Sequence, residues 1–288
     1  MCCDSGVSEN RPDQLRAVAE QLAAEAAAFV RRRRAEIFGD GRMTAAGSVR
    51  SKSTPTDPVT VADTETERLV RDRLDALRPG EPILGEEGGG PAVGADGGVC
   101  WVVDPIDGTV NFVYGIPAYA ISVAAQIDGV SVAGAVADVV SGDIYSAALG
   151  HGAHVLRDGE RQVLRSSGAD ELAMALVGTG FGYAPRRRAE QSALLSRILP
   201  LVRDVRRIGS AALDLCMVAE GRLDAHYEHG LHVWDWAAGA LVATEAGALV
   251  RLPDVDDGRA GLLVAAAPGI ATQLIEALEK FGGLRPLE

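Results

Sequence analysis

Cysteine is scarce in this chain: Cys2, Cys3, Cys100 and Cys216 are the four among 288 residues, with no Cys-x-x-Cys pair and no histidine companions to the cysteines at zinc-finger spacing. A disulfide framework and a structural zinc are thereby excluded, and Cys100 and Cys216 are expected as small buried hydrophobes. No apolar run approaches the roughly 18 residues that a membrane span needs, and Met1-Cys2-Cys3-Asp4-Ser5 lacks the basic-then-apolar order of a secretory signal. A cytoplasmic protein without membrane contact is expected. Positive charge is in deficit too, 28 Lys and Arg against 40 Asp and Glu for a net charge of −12. This balance opposes direct contact with nucleic acid and gives an anionic ligand no general attraction, so any anion site must make its positive potential locally. The run Arg31-Arg32-Arg33-Arg34 reads as a solvated helix end that complements the helix dipole. There is no Gly-Lys-Ser/Thr ending to the glycines of Gly85 to Pro91, and no internal repeat.

With 47% hydrophobic residues the chain can bury a sizeable core. Leu15, Val18, Leu22 and Phe29 share one face of a helix expected from Asp13 to Phe38 and closed by Gly39. A polar loop follows, ending in Lys52-Ser53-Thr54-Pro55-Thr56-Asp57-Pro58. Thr60-Val61-Ala62-Asp63 has the form of a capping box, so a second helix begins there, carries Asp63 in its first turn and stops before Pro79-Gly80. A short strand near Pro82 to Gly85, a strong one from Val99 to Val103 and three or four more between Tyr119 and Leu156 are separated by turns such as Asp128-Gly129 and Asp158-Gly159. Beyond about Ser166 strands alternate with helices. Strands are expected near Ala173 to Thr179, Leu223 to Tyr227, Leu249 to Arg251 and Gly261 to Ala265, and helices near Arg187 to Ile198, Ala211 to Glu220, Asp235 to Glu245 and Pro268 to Lys280. The fold class is α/β in layers: an α+β half over 1–165 joined to an α/β half over 166–288 in one compact unit.

The stretch Trp101-Val102-Val103-Asp104-Pro105-Ile106-Asp107-Gly108-Thr109 sends two carboxylates off the end of an apolar strand. Hard divalent cations take oxygen ligands of this kind, and a backbone carbonyl such as that of Ile106, turned inward by the bend at Pro105, could supply a third. Gly108 lets the backbone approach a ligand, and the Gly108 and Thr109 amides can face a phosphate oxygen. Other readings stand beside these. Asp63 and Asp235 can be acids that merely start helices, and Glu86-Glu87 can be a solvated turn. Asp104 and Asp107 resist a structural explanation, because like charges at a buried strand end repel unless a cation lies between them. His229 and His232 lack an acidic or cysteine partner at zinc spacing.

Asp104-Pro105-Ile106-Asp107-Gly108-Thr109 resembles the signature of the inositol monophosphatase family of lithium-sensitive, magnesium-dependent phosphatases. Trp234-Asp235-Trp236-Ala237-Ala238-Gly239 resembles that family's second box, and Gly85-Glu86-Glu87 a third, with Lys52, the Val59 to Asp63 element and Arg207-Ile208-Gly209-Ser210-Ala211 also in register and order. The resemblance implies an α-β-α-β-α sandwich and hydrolysis of myo-inositol 1-phosphate by a metal-activated water. Glu86, Asp104 and the Ile106 carbonyl would hold one magnesium; Asp104, Asp107 and Asp235 a second; a third, weaker ion would bind near Glu86 through waters. Thr109, hydrogen-bonded to Asp63, would orient the water. Gly108 and Thr109 would cradle the phosphate, and Glu228, the Ala211 amide and Arg206 would meet the substrate. A homodimer and lithium inhibition are implied likewise.

The same metals would serve fructose 1,6-bisphosphate, histidinol phosphate or 3′-phosphoadenosine 5′-phosphate, though Glu228 suits a polyol because a carboxylate accepts hydrogen bonds from adjacent hydroxyls. A reading of another class is an interaction protein of the transcription machinery. Such a binder would tolerate loss of a metal carboxylate, yet Asp63, Glu86, Asp104, Asp107 and Asp235 are all present. Gly88, where many relatives carry serine, and the glycine-rich loop to Gly98 depart from the pattern.

Overall fold

The computed structural model describes residues 10–39, 49–51, 58–91, 94, 97–253 and 261–287. Lys52 and the N-terminal tail before Asn10 lie outside the described residues. In chain order the elements are α1 (Pro12–Phe38), β1 (Val49–Ser51), β2 (Pro58–Thr60), α2 (Val61–Leu77), β3 (Ile83–Gly85), β4 (Val99–Asp107), α3 (Thr109–Tyr114), β5 (Ala120–Ile127), β6 (Val130–Asp138), β7 (Ile144–Ala148), β8 (Ala153–Arg157) and β9 (Glu160–Val163). There follow β10 (Leu176–Thr179), α4 (Pro185–Ile198), β11 (Asp204–Arg206), α5 (Ala211–Ala219), β12 (Ala225–His229), α6 (Val233–Glu245), β13 (Leu249–Arg251), β14 (Leu262–Ala266) and α7 (Pro268–Lys280).

Strands β3 to β9 form one sheet in sequence order, with β3 parallel to β4 and every later pair antiparallel. The second sheet, ordered β11-β10-β12-β14-β13, is mixed: β10 is parallel to both β11 and β12, and β14 is antiparallel to its neighbours. Strand alternation sorts side chains to opposite faces. Trp101, Val103, Ile121, Val123 and Ala125 meet α1 and α2 on one side of the large sheet. Val102, Ala120 and Ala124 point the other way, into a core shared with α5, α6 and the inner residues Leu263 and Ala265 of the second sheet. Val177, Ala225, Tyr227 and Val264 face a third core under α4 and α7. Three cores between five layers make the α-β-α-β-α sandwich. The last strand of the first sheet ends at Val163 and the first of the second starts at Leu176, on either side of the expected boundary at Ser166.

Local chemistry accounts for the element ends. The Thr60 hydroxyl accepts from the Ala62 amide while Asp63 Oδ2 accepts from the Thr60 amide at 2.9 Å, the expected capping box. Gly39 closes α1 with a positive φ and its N–H on the Ala35 carbonyl. Cys100 and Cys216 are buried, and burial pushes both thiols up. The arginine run departs from the expected solvated end. No basic residue sits in the last turn of α1. Arg31 donates to the Val139 carbonyl, Arg33 pairs with Glu65, and Arg34 donates to the Phe112 carbonyl and lies over the Phe38 and Phe112 rings. Three of the four therefore tie α1 to its neighbours. No helix among the described residues is long and apolar enough to cross a membrane.

Candidate active site

β4 runs four residues further than its apolar stretch, to Asp107, and its pairing with β5 shifts register between Asp104 and Asp107. Pro105 sits in that interval and has no N–H to give a ladder, so the strand bulges there and both carboxylates stay on the sheet end rather than alternating away. The Asp104 carboxylate accepts the Ile106 amide at 3.0 Å. Asp235 enters from α6, whose start is bound to the sheet by the Ser122 hydroxyl donating to the Trp234 carbonyl at 3.1 Å. One oxygen from each of Asp104, Asp107 and Asp235 lies within 4.8 Å of the others. Glu86, in the turn after β3, lines the same cleft.

This cluster is electrostatically strained. Burial, reinforced by Glu86, Asp107 and Asp235, holds the Asp104 carboxyl far above the usual carboxylate range. Burial likewise raises Asp235, with Asp107 and Glu86 adding to it. Asp107 is pushed by burial to about 6, held from rising further by the Ser210 hydroxyl and α5 amides. The Ser210 hydroxyl donates to Asp107 Oδ2 at 2.6 Å and the Ala212 amide at 2.7 Å. Carboxylates arranged so cannot all ionise in a dry site without a cation among them. The donors are all oxygens, the set that magnesium-like ions prefer. The residues fit a hard divalent metal.

Asp63 combines its two readings. The carboxylate that caps α2 also lies 3.1 Å from the Thr109 hydroxyl, which stands 3.0 Å from the Ile106 carbonyl as well. Gly108, between β4 and α3, has φ +96°, and a Cβ there would stand 3.0 Å from the Ala118 carbonyl oxygen and 3.1 Å from that of Gly209. Only glycine takes this conformation and this approach without strain. A further buried carboxylate, Glu67 on α2, accepts the Glu87 amide at 2.7 Å and the Gly88 amide at 2.9 Å, and pairs with Arg71. It anchors the turn that carries Glu86.

The cleft, of about 590 Å³, opens between the two sheets. Opposite the acids it is walled by Glu228 and by Arg187 and Arg207. Burial raises Glu228 to about 8, against the opposing pull of Arg207. Ala211 lies in the wall, but its backbone N–H is directed at Asp107. Arg206 is elsewhere: on the edge strand β11 it is exposed and paired with Asp204 at 2.6 Å, outside the cleft lining. Successive residues leaving a strand point to opposite sides, and it is Arg207 that turns inward. Sequence reasoning passed over Arg187, Ser210 and Glu67. The signal for Ser210 was its place before α5 as an N-cap, which the hydroxyl fulfils by accepting from the Leu213 amide. His229 places its ring nitrogen on the Gly283 carbonyl and His232 stacks on Trp234, and among the described residues neither belongs to the acidic cluster.

Residues 11–282 match the model of the family described as the inositol monophosphatase family. The inositol-1-monophosphatase of Mycobacterium leprae (strain TN) is 68% identical over 287 residues, 98% of this chain and 99% of that protein. Among solved structures, Mycobacterium tuberculosis SuhB aligns with a TM-score of 0.82 at 60% identity, over 96% of this chain and 100% of that one. Inositol monophosphatase from Anabaena (Nostoc) sp. PCC 7120 aligns with a TM-score of 0.77 at 30% identity, over 96% and 98% of the two chains.

Proposed function

The chain belongs to the inositol monophosphatase family, and from that premise we propose that it is a magnesium-dependent phosphatase that splits myo-inositol 1-phosphate into inositol and inorganic phosphate. The observation that carries the reading is the cluster of buried Asp104 and Asp107 with half-buried Asp235, beside a wall bearing Glu228 and Arg207. Glu86, Asp104, Asp107, Asp235 and the Ile106 carbonyl would hold two ions, with a third near Glu86. Bound magnesium supplies an acidified water at neutral pH and neutralises charge on the phosphate and leaving oxygens.

The protein's own groups do the rest. The Thr109 hydroxyl, fixed between Asp63 and the Ile106 carbonyl, orients the water on the face of phosphorus opposite the ester oxygen. Gly108 and Thr109 amides face the peripheral phosphate oxygens, where charge gathers in a loose transition state. Ser210 and the α5 amides hold Asp107 ionised and oriented. Glu228 meets the hydroxyls of the departing alcohol. Water adds to phosphorus, the P–O ester bond breaks, and of the water's two protons one leaves with the alcohol and the other stays on the phosphate, so no protein nucleophile is consumed.

A second reading, a substrate with a further phosphate such as fructose 1,6-bisphosphate, draws support from Arg187 and Arg207 on the alcohol side. A cytoplasmic homodimer inhibited by lithium is part of the proposal through family membership. Phosphate release from myo-inositol 1-phosphate, fructose 1,6-bisphosphate and 3′-phosphoadenosine 5′-phosphate, with magnesium and with excess chelator, tests it. Chelator-sensitive release led by the inositol ester is expected. Preference for the bisphosphate moves the substrate, and no release from folded protein removes the phosphatase reading.

A further inference from the structure

Behind the Glu228 wall lies a row of ionisable side chains that the mechanism above does not use. Asp214 on α5 and His226 and Glu228 on β12 stand in line: His226 Nδ1 is 3.7 Å from Asp214 Oδ2, and Nε2 is 3.6 Å from Glu228 Oε2. The imidazole is fully buried, and neither of its nitrogens nor Asp214 Oδ1 has a hydrogen-bond partner among the described residues. Such a group is costly in a core unless it has a purpose.

Neighbouring residues make room for it. Gly178 pairs with His226 across β10 and β12, and a Cβ there would stand 2.9 Å from Asp214 Oδ1 and 3.1 Å from His226 Nδ1. A Cβ at Gly180 would overlap the Glu228 carboxylate. By strand alternation Ala225 and Tyr227 fill the outer core while His226 and Glu228 turn toward α5, beside Ala265 and Leu263 of β14, and it is the absence of side chains at Gly178 and Gly180 that leaves them room.

We propose that Asp214, His226 and Glu228 act as one proton-sharing relay that holds the Glu228 carboxyl group for the hydroxyls of the leaving alcohol, making His226 and Asp214 positioning residues for substrate selection. The proposal rests on the assignment of Glu228 to that alcohol. A movement of under about 1 Å at each end turns both contacts into hydrogen bonds. Both can form only if the three side chains hold two protons between them. Either an imidazolium sits between two carboxylates, or a neutral ring donates to one acid and accepts from the other in its protonated form. These states share a charge of −1 and differ by one proton moved along the row. In each of these states the ring engages Glu228 Oε2 and leaves the other carboxyl oxygen as an acceptor for a substrate hydroxyl, without exchanging protons with solvent. Arg207 and Asp107 face the row with opposite charges, and burial, raising Glu228 to about 8 and lowering His226 to about 3, favours the neutral ring.

Nitrogen NMR on protein carrying isotope-labelled histidine tests the relay directly, since only five histidines are present. Asp214→Asn and Glu228→Gln are each expected to shift the His226 ring nitrogens; resonances indifferent to both overturn the relay whatever the substrate. The second readout is the ratio of kcat/KM for myo-inositol 1-phosphate to that for an aryl phosphate without hydroxyls. It should fall about tenfold in His226→Leu, chiefly through KM, the scale of one charge-assisted hydrogen bond, and recover in His226→Gln. An unchanged ratio in a variant that melts like the wild type overturns the positioning role, and Asp214→Asn carries the same comparison if His226→Leu does not fold. A wild type that shows no preference for the polyol ester refutes the reading of Glu228 instead, and the NMR shifts then decide the relay alone.

Discussion

Glu67 offers a perturbation whose effect can be worked from the structure. It is buried on α2, with 3% of its side chain exposed, and holds the turn from Gly85 to Gly88 through the Glu87 and Gly88 amides, while Arg71 pairs with it and donates to the Gly89 carbonyl at 2.7 Å. Two hydrogen bonds to a charged acceptor contribute about 1.5–3 kcal/mol each, and breaking a buried pair costs roughly 3–5 kcal/mol; these terms overlap. Glu67→Ala is therefore expected to lose about 4 kcal/mol, near 10 °C in Tm for a domain this large. Glu67→Gln keeps the shape and one acceptor but turns an amide N–H₂ toward a backbone N–H, for a loss of about 1–2 kcal/mol. The distinguishing effect is on Glu86, which the turn carries. A shift of about 1 Å in a catalytic group lowers rate on the order of a hundredfold, so Glu67→Gln should weaken magnesium binding and depress kcat/KM by at least about tenfold. Differential scanning calorimetry, magnesium titration calorimetry and phosphate release measure the three quantities on one sample. A Glu67→Gln protein that melts lower yet binds magnesium and turns over like the wild type would refute the claim that Glu67 places Glu86.

Asp104→Asn should abolish turnover while raising the Tm of chelator-treated protein, because it removes one charge from a mutually repelling cluster; an unchanged or lower metal-free Tm contradicts the electrostatic reading. Burial raises Glu228 to about 8 and Asp107 to about 6, so between about pH 4 and those values the native state holds more protons than the unfolded chain. Metal-free stability is thus greatest at the acid end of this window and falls as pH rises through it. Thermal melts from pH 5 to pH 8 with chelator should show the decline, and magnesium should flatten it. Gly108→Ala should cost activity and about 1–3 kcal/mol of stability, from its positive φ and its contact with the Ala118 carbonyl; wild-type melting and turnover would show that the backbone there can move.

The sequence carried the helices well because their signals are local. Thr60 and Asp63 announce a capping box, Gly39 an end, and the spacing of Leu15 and Leu22 a buried face. The acidic site was legible for a related reason: a metal site needs carboxylates at fixed offsets from strand and helix ends, and Asp104, Asp107 and Asp235 lie in short motifs at such ends. The three-residue strand β11 gave no such sign. Only one of its residues is even half-buried, and it is a strand solely because β10 lies beside it.

What the chain determined by itself was its list of elements and the chemical character of its acids, since both depend on neighbours a few residues away. Which arginine faces the cleft, which hydroxyl steadies Asp107, and why a histidine is shut between Asp214 and Glu228 were decided only when α5 and β12 were brought against the end of β4. The Ser210–Asp107 contact joins residues 103 positions apart, and the meaning of all of them is set by burial: the same carboxylates in water would repel little and keep their ordinary pKa values. Desolvation is a property of the packed layers, so it appears only with the tertiary structure.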